Sequence, residues 1–236
     1  MGSTFRDMLR SAKSVAIFSG AGVSTDSGIP DFQTVDNNWR FKKSREDMLS
    51  LDYFRENPAE FWEAYRYIFD RHLDATPNVF HSWVASLQNS HKVTVITQNV
   101  DGLDVKAGVE KVIEIHGNLR EFVCLNKRCK RTYERSSISN FEPYPVCLNC
   151  SSVLKPNVVL FGEKLQHYDK AMRMASYADL MIVAGTSLNV SPANLIPFEA
   201  MRSMPAIWVN NHQPPKEYSF EAQHIGSLKD FVYNIK

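Results

Sequence analysis

Short, nearly uninterrupted apolar runs rich in β-branched residues recur along the chain. They are Val15–Phe18 (VAIF), Val93–Thr97 (VTVIT), Val112–Ile115 (VIEI), Leu180–Ala184 (LMIVA) and Ala206–Val209 (AIWV). A strand with one wet face alternates apolar and polar residues, whereas these runs predict strands buried on both faces, as in a parallel sheet covered by helices. Between them, apolar positions fall at helical spacing over Thr4–Lys13, Asn57–Arg71, Asn78–Ser90, His167–Tyr177 and Pro192–Met201. The alternation predicts the α/β class, a doubly wound parallel sheet. Ligands of such sheets bind beyond the C-terminal strand ends, where Gly20, Gln98, His116, Gly185 and Asn210 fall. One stretch breaks the pattern. From Cys124 to Cys150 the chain is polar and loop-like, and it reads as a small inserted module.

Composition narrows the possibilities. At 236 residues the chain suits one domain, or one with an insertion. Forty-four per cent hydrophobic and 22% charged residues exclude a disordered chain. Lys and Arg number 27 against 26 Asp and Glu, so no net field is available for a polyanion and no specific nucleic-acid partner is expected. The apolar runs are far shorter than the ~20 residues of a membrane span. The opening MGSTFRDMLRSAKS lacks a signal peptide's apolar core, so the expected location is the cytoplasm, with no membrane partner.

The four cysteines come in two close pairs. Four residues separate Cys124 from Cys129, two separate Cys147 from Cys150, and seventeen lie between the pairs. Two short knuckles presenting four thiolates to one point predict a zinc ion. Disulfides or plain buried thiols are the alternatives, and without a secretory signal disulfides are disfavoured. Four thiolates leave no open position, so the expected zinc is structural.

After the first run comes SGAGVSTDSGIPDF, Ser19 to Phe32. Gly20 and Gly22 allow a tight turn and a close approach to a pyrophosphate. Thr25 stands where a dinucleotide fingerprint has its third glycine, so on these residues alone a plain strand-to-helix turn remains open. The stretch from Phe32 to Ser50 reads as a flexible loop over the pocket.

Taken in order, these blocks resemble the sirtuins, NAD-dependent protein-lysine deacylases. The matching segments are GAGVSTDSGIPDF (Gly20–Phe32), TQNVDGL (Thr97–Leu103), IHGNL (Ile115–Leu119), the four-cysteine module, KPNVVLFGE (Lys155–Glu163), AGTSLNVSPA (Ala184–Ala193) and VNN (Val209–Asn211). The resemblance implies a Rossmann-like NAD-binding domain over 4–118 and 154–236, with a zinc-binding module over 119–153 and the 32–75 segment packed against it. It implies that Gly20, Ala21 and Gly22 hold the NAD pyrophosphate. Asp31, Phe32 and Gln33 would lie near the nicotinamide and its ribose, and Gln98, Asn99 and Asp101 would hold the ribose and the carboxamide. Gly185, Thr186, Ser187, Asn210 and Ile225 would contact the adenosine half. His116 is implied as general base, with Asn99 and Asp101 beside it in catalysis. Val159, Phe161 and Gly162 would line the acyl-lysine channel, the 158–163 backbone pairing with an extended peptide. The implied activity is acyl transfer from lysine to ADP-ribose with release of nicotinamide, most simply deacetylation. The implied cofactors are NAD and zinc, the partner an acyl-lysine peptide, and the expected state a monomer.

Departures qualify the match. Gln33 stands where the family block carries arginine, and Arg40 is a candidate replacement. Asp104 replaces a customary histidine, at an expected surface position. Family members that remove acidic acyl groups carry a tyrosine and an arginine three residues apart on the tunnel helix. Trp62 and Tyr65 fill those places in FWEAYR, and Arg66 lies about 100° round the axis, which favours neutral acyl groups. Trp62, Tyr65 and Tyr67 read as core or tunnel wall. His72, His81, His91, His167, His212 and His224 read as ordinary histidines. ADP-ribosyl transfer or NAD hydrolysis on the same site is the alternative activity. A non-catalytic module, a generic dehydrogenase and a zinc-finger DNA binder fit less well.

Overall fold

The computed structural model describes residues 2–31, 37–139 and 141–235, so Phe32 and Gln33 lie outside the described residues. The strands are β1 (Ser14–Ser19), β2 (Lys92–Thr97), β3 (Val112–Glu114), β4 (Gly117–Cys124), β5 (Thr132–Glu134), β6 (Leu154–Val158), β7 (Leu180–Ala184), β8 (Ala206–Asn210) and β9 (Ala222–Ile225). The helices are α1 (Gly2–Ser11), α2 (Arg45–Met48), α3 (Leu51–Glu56), α4 (Pro58–Phe69), α5 (Val79–Leu87), α6 (Leu103–Lys106), α7 (Tyr168–Ser176), α8 (Leu195–Ala200) and α9 (Leu228–Ile235). None is long and apolar enough to cross a membrane.

One sheet has the order β3–β2–β1–β7–β8–β9, with every neighbouring pair parallel. The chain winds outward from β1 in both directions, which places a topological switch between β1 and β7. Burial on both faces explains the continuous apolar runs. Val15 and Ile17 pack into the core with Phe80, Trp83 and Phe231 of α5 and α9. Ala16 and Phe18 point into the opposite core with Ala171, Ile196 and Trp208. The doubly wound α/β expectation holds. β9 and α9 go beyond what the apolar pattern predicts, and α8 starts at Leu195 rather than Pro192.

A second sheet, antiparallel with the order β5–β4–β6, carries Cys124 at the end of β4. Its side chains Phe122, Cys124, Cys147 and Leu154 share one core with Met48, Phe54, Phe61, Trp62 and Tyr65 of α2–α4. The Trp62 indole N–H donates to the Leu154 carbonyl at 3.1 Å. Arg135 lies over the rings of Phe122 and Phe141 and pairs with Asp70 at 2.8 Å. Trp62 and Tyr65 are therefore core residues, fully buried.

The described part of the 32–50 stretch differs from the flexible loop expected of it. Trp39, Phe41 and Tyr67 form an aromatic cluster, and Ser44 and Ser50 cap α2 and α3 by accepting the N–H of Asp47 and Tyr53. Serine caps and half-buried aromatics give local structure to a segment whose sequence is otherwise polar.

Candidate active site

At the switch point three backbones come into contact. The Gly20 N–H donates to the Ala184 carbonyl and the Gly22 N–H to the Gly185 carbonyl at 2.8 Å. A Cβ on Gly20 would lie 2.8 Å from Thr186 Cβ, and one on Gly22 2.8 Å from Gly185 Cα. Gly185 has φ +58°, and a Cβ there would meet the Val23 nitrogen at 2.4 Å. These glycines allow the loop after β1 to pack against the loop after β7, and the N–H groups of Gly20 and Gly22 are spent inside the chain. The Ala21–Ser27 turn of 3₁₀ helix starts at this strand end, so its N-terminus, with its partial positive charge, opens at the crevice.

The loop after β2 supplies the polar side chains. Asn99 Nδ2 donates to the Gly20 carbonyl and to Ser24 Oγ, each at 3.1 Å. Ser24 Oγ in turn donates to Asp101 Oδ2 at 2.7 Å, and Asp101 Oδ1 accepts the Leu103 N–H, capping α6. Ser24 is buried and links the two residues, yet the sequence reading left it out. Its place inside the GAGVS block was the available signal. Gln98 Nε2 donates to Thr186 Oγ1 at 2.9 Å, and Asn210 Nδ2 to the Thr186 carbonyl at 2.8 Å. Gln98, Thr186 and Asn210 thus connect the ends of β2, β7 and β8. Ser187 is half-buried beside them, and Ile225, at the end of β9, is 42% exposed.

His116 lies in the two-residue turn between β3 and β4. Its Nδ1 lies 2.9 Å from the Gln98 carbonyl oxygen, which can only accept. Nδ1 therefore carries the proton and Nε2 keeps its lone pair. Burial lowers the imidazole pKa below its ordinary 6.5, opposed by the hydrogen bond to Gln98. A half-buried histidine with a fixed tautomer and a depressed pKa suits a general base.

Beyond β6, Val159 donates its N–H to the His116 carbonyl at 2.8 Å. Phe161 exchanges backbone hydrogen bonds with Leu49 and Leu51. Val159 and Phe161 are thus already paired along one edge of this segment. Phe161 and Gly162 are exposed. Arg66 donates to the carbonyls of Phe141 and Pro143, and Arg40 pairs with Glu63 at 2.8 Å.

His81 is buried and hydrogen-bonded, in line with its reading as an ordinary histidine: Nδ1 accepts the Asn78 N–H in a capping box, and Nε2 has no partner among the described residues. Asp104, expected at the surface, is 4% exposed on α6. Burial raises its pKa from 3.8 to about 7, and the carboxylates of Asp101 and Glu114 add to the shift. The folded state therefore holds a proton that the unfolded chain has released above about pH 4. Stability contributed by the neutral acid is present at low pH and is lost as pH rises through that window, by roughly 1.4 kcal/mol per unit. Asp104→Asn keeps the shape without the charge. In urea melts it should stabilise the protein by up to ~4 kcal/mol at pH 8 and little at pH 4. An equal effect at both pH values would show that the carboxyl is not the titrating group.

The thiols of Cys124, Cys129, Cys147 and Cys150 lie within 4.8 Å of one another. The Cys124–Cys150 and Cys129–Cys147 sulfurs are 3.5 and 3.6 Å apart. A disulfide needs about 2.05 Å. A tetrahedron with Zn–S near 2.3 Å has an edge of about 3.8 Å, which these separations fit. The Asn149 amide donates to Cys129 Sγ, and the Tyr133 hydroxyl lies 3.2 Å from Cys147 Sγ, contacts suited to thiolates.

The crevice at the switch point of a doubly wound sheet, as in nucleotide-binding folds, thus holds an Asn–Ser–Asp hydrogen-bond chain and a histidine of fixed tautomer, and apart from them lie four clustered thiols that could hold a metal ion. The Sir2 family model matches residues 20–192, and the chain belongs to the Sir2 family. It is 43% identical over 209 residues to the NAD-dependent protein deacetylase of Chromobacterium violaceum, covering 87% of this chain and 84% of that protein. A solved structure of Sir2 bound to acetylated peptide superposes with TM-score 0.88 at 32% identity, covering 100% and 97% of the two chains. A Sir2–p53 peptide–NAD+ complex gives 0.86 at 32% identity, again covering 100% and 97%.

Proposed function

We propose that this chain is an NAD-dependent protein-lysine deacetylase, transferring the acetyl group of an acetyl-lysine peptide to ADP-ribose and releasing nicotinamide. The observation that carries the reading is the geometry of His116, whose Nδ1–H is fixed on the Gln98 carbonyl so that Nε2 is the base. The relatives' printed activities agree with it. NAD, when bound, supplies an electrophilic ribose carbon as its nicotinamide departs. Ala21 and the N-terminus of the 3₁₀ turn would hold the pyrophosphate, with Gly20 and Gly22 giving the close packing that shapes the turn. Asn99 and Asp101, tied through Ser24, would orient the nicotinamide end together with Asp31. Gln98, with Asn99, would hold the ribose, and Gly185, Thr186, Ser187, Asn210 and Ile225 would take the adenosine half. His116 removes a hydroxyl proton, Asn99 and Asp101 assist, and Val159, Phe161 and Gly162 receive the acyl-lysine. Phe32 and Gln33 keep their expected roles as proposals.

The acyl group is neutral in this reading, because Arg66 is turned to the Phe141 and Pro143 carbonyls. The four cysteines hold a structural zinc in the 119–153 module, and 4–118 with 154–236 forms the NAD-binding domain. The enzyme acts as a monomer in the cytoplasm, in keeping with four unbridged cysteines. Mass spectrometry of products, with NAD and a panel of acyl-lysine peptides, tests all of the chemistry. Acetylated ADP-ribose formed only with acetyl-peptide is expected. Nicotinamide release without peptide would identify an NAD hydrolase, and faster succinyl than acetyl turnover would overturn the acyl preference.

A further inference from the structure

Lys155, one residue into β6, is only 4% exposed, a rare position for an ammonium. Its Nζ donates to three acceptors: the carbonyls of Pro156 (3.1 Å) and Val158 (2.6 Å) and Glu163 Oε2 (2.8 Å). An ammonium has three N–H donors, and here each is used. The same Glu163 oxygen accepts the Leu160 N–H at 2.9 Å, while the Glu163 N–H donates to the Leu160 carbonyl at 2.9 Å. Both backbone groups of Leu160 are thus folded back onto Glu163. Leu160 is buried, whereas Phe161 and Gly162 project outward, Gly162 with φ +90°. One residue before this turn, the Val159 N–H is bonded to the carbonyl of His116 itself.

We propose that the buried Lys155–Glu163 pair positions the acyl-peptide strand, setting the shape of 158–163 and its register against the His116 backbone. Neither side chain touches substrate; they act through the backbone that does. This rests on the deacetylase reading and names two positioning residues for it. An ion pair at this depth adds little net stability over an apolar pair. It does fix one backbone path, because the ammonium holds the Pro156 and Val158 carbonyls ahead of the turn while the carboxylate it pairs with holds the Leu160 N–H within it.

The test uses the full-length protein, with Glu163→Gln and the double variant Lys155→Met/Glu163→Gln. The single variant keeps an oxygen for the Leu160 N–H but removes the countercharge, and the double variant avoids leaving a lone buried charge. Binding of a fluorescent acetyl-lysine peptide is followed by anisotropy without NAD, alongside steady-state kinetics and thermal melts. Both variants should bind the peptide at least ~10-fold more weakly and raise its KM similarly. Their kcat at saturating peptide should stay within ~3-fold of the parent, and the double variant should melt close to it. A double variant that melts like the parent and binds peptide with the parent's affinity overturns the proposal. So does a loss confined to kcat. If the parent protein itself neither binds nor deacetylates the peptide, the deacetylase reading fails, an outcome the parent control keeps distinct from the others.

Discussion

His116→Ala should lower deacetylation by about 10²–10⁴-fold, the usual worth of a positioned general base. The side chain is half-buried and makes one hydrogen bond, to the Gln98 carbonyl, so its removal should cost the fold only about 1 kcal/mol. Turnover and stability should therefore separate, with activity collapsing and the melting temperature falling only slightly. The pH dependence gives a second readout. A base works when neutral, and burial disfavours the imidazolium more than the Gln98 carbonyl favours it, so the pKa lies below 6.5. The acid limb of kcat/KM should thus be centred below pH 6.5, with activity retained under mildly acidic conditions. A limb centred above 6.5, or a His116→Ala enzyme with undiminished turnover, would remove histidine from the chemistry.

This prediction draws on two sources, and they show where the sequence was legible. β1, β2, β7 and β8 were readable because strands covered on both faces become continuous apolar runs such as VAIF and LMIVA. β6 was not, since Lys155 and Pro156 interrupt it. Its identity comes from antiparallel pairing with β4, a contact between residues some 30 positions apart along the chain. β4 itself is long, but Asn118, Arg120 and Glu121 dilute its pattern. Asp104 marks a different limit. Exposure of a carboxylate is a sound expectation from residue type alone. The packing of α6 under Asp101 and Glu114 overrides it, and no local pattern announces that. Gly185 marks a third, since its glycine identity is set by the Val23 nitrogen more than 160 residues away in sequence. The chemistry-bearing types, by contrast, were visible: the metal site from the cysteine spacing itself, and the roles of Asn99, Asp101 and His116 through the resemblance of TQNVDGL and IHGNL to the sirtuin blocks.

The largest effect on the fold should follow removal of metal from the four-thiol site. Chelation, or Cys147→Ala, should lower the melting temperature steeply and abolish activity together, since the thiols are structural parts of the core. Cys124 and Cys147 are buried in the same cluster as Trp62, Phe122 and Leu154, and that cluster also holds α2–α4. The segment from Cys124 to Cys150 has little else to order it: β5 spans three residues, and the connections are turns and short bridges. Structural zinc contributes about 10–16 kcal/mol in isolated knuckles at pH 7, well above what such a segment recovers from packing. Loss should reach the active site by a short path. β4 begins at Gly117, beside His116, and β6 ends at Val158, beside Val159, so β4, which ends on Cys124, and its partner β6 also place base and substrate strand. Metal analysis should find about one zinc per chain, and far-UV circular dichroism after chelation should lose signal in parallel with activity. A protein that contains no metal, melts unchanged in chelator and keeps its turnover would mean that the four sulfurs, 3.5–3.6 Å apart within each facing pair, are held by packing alone.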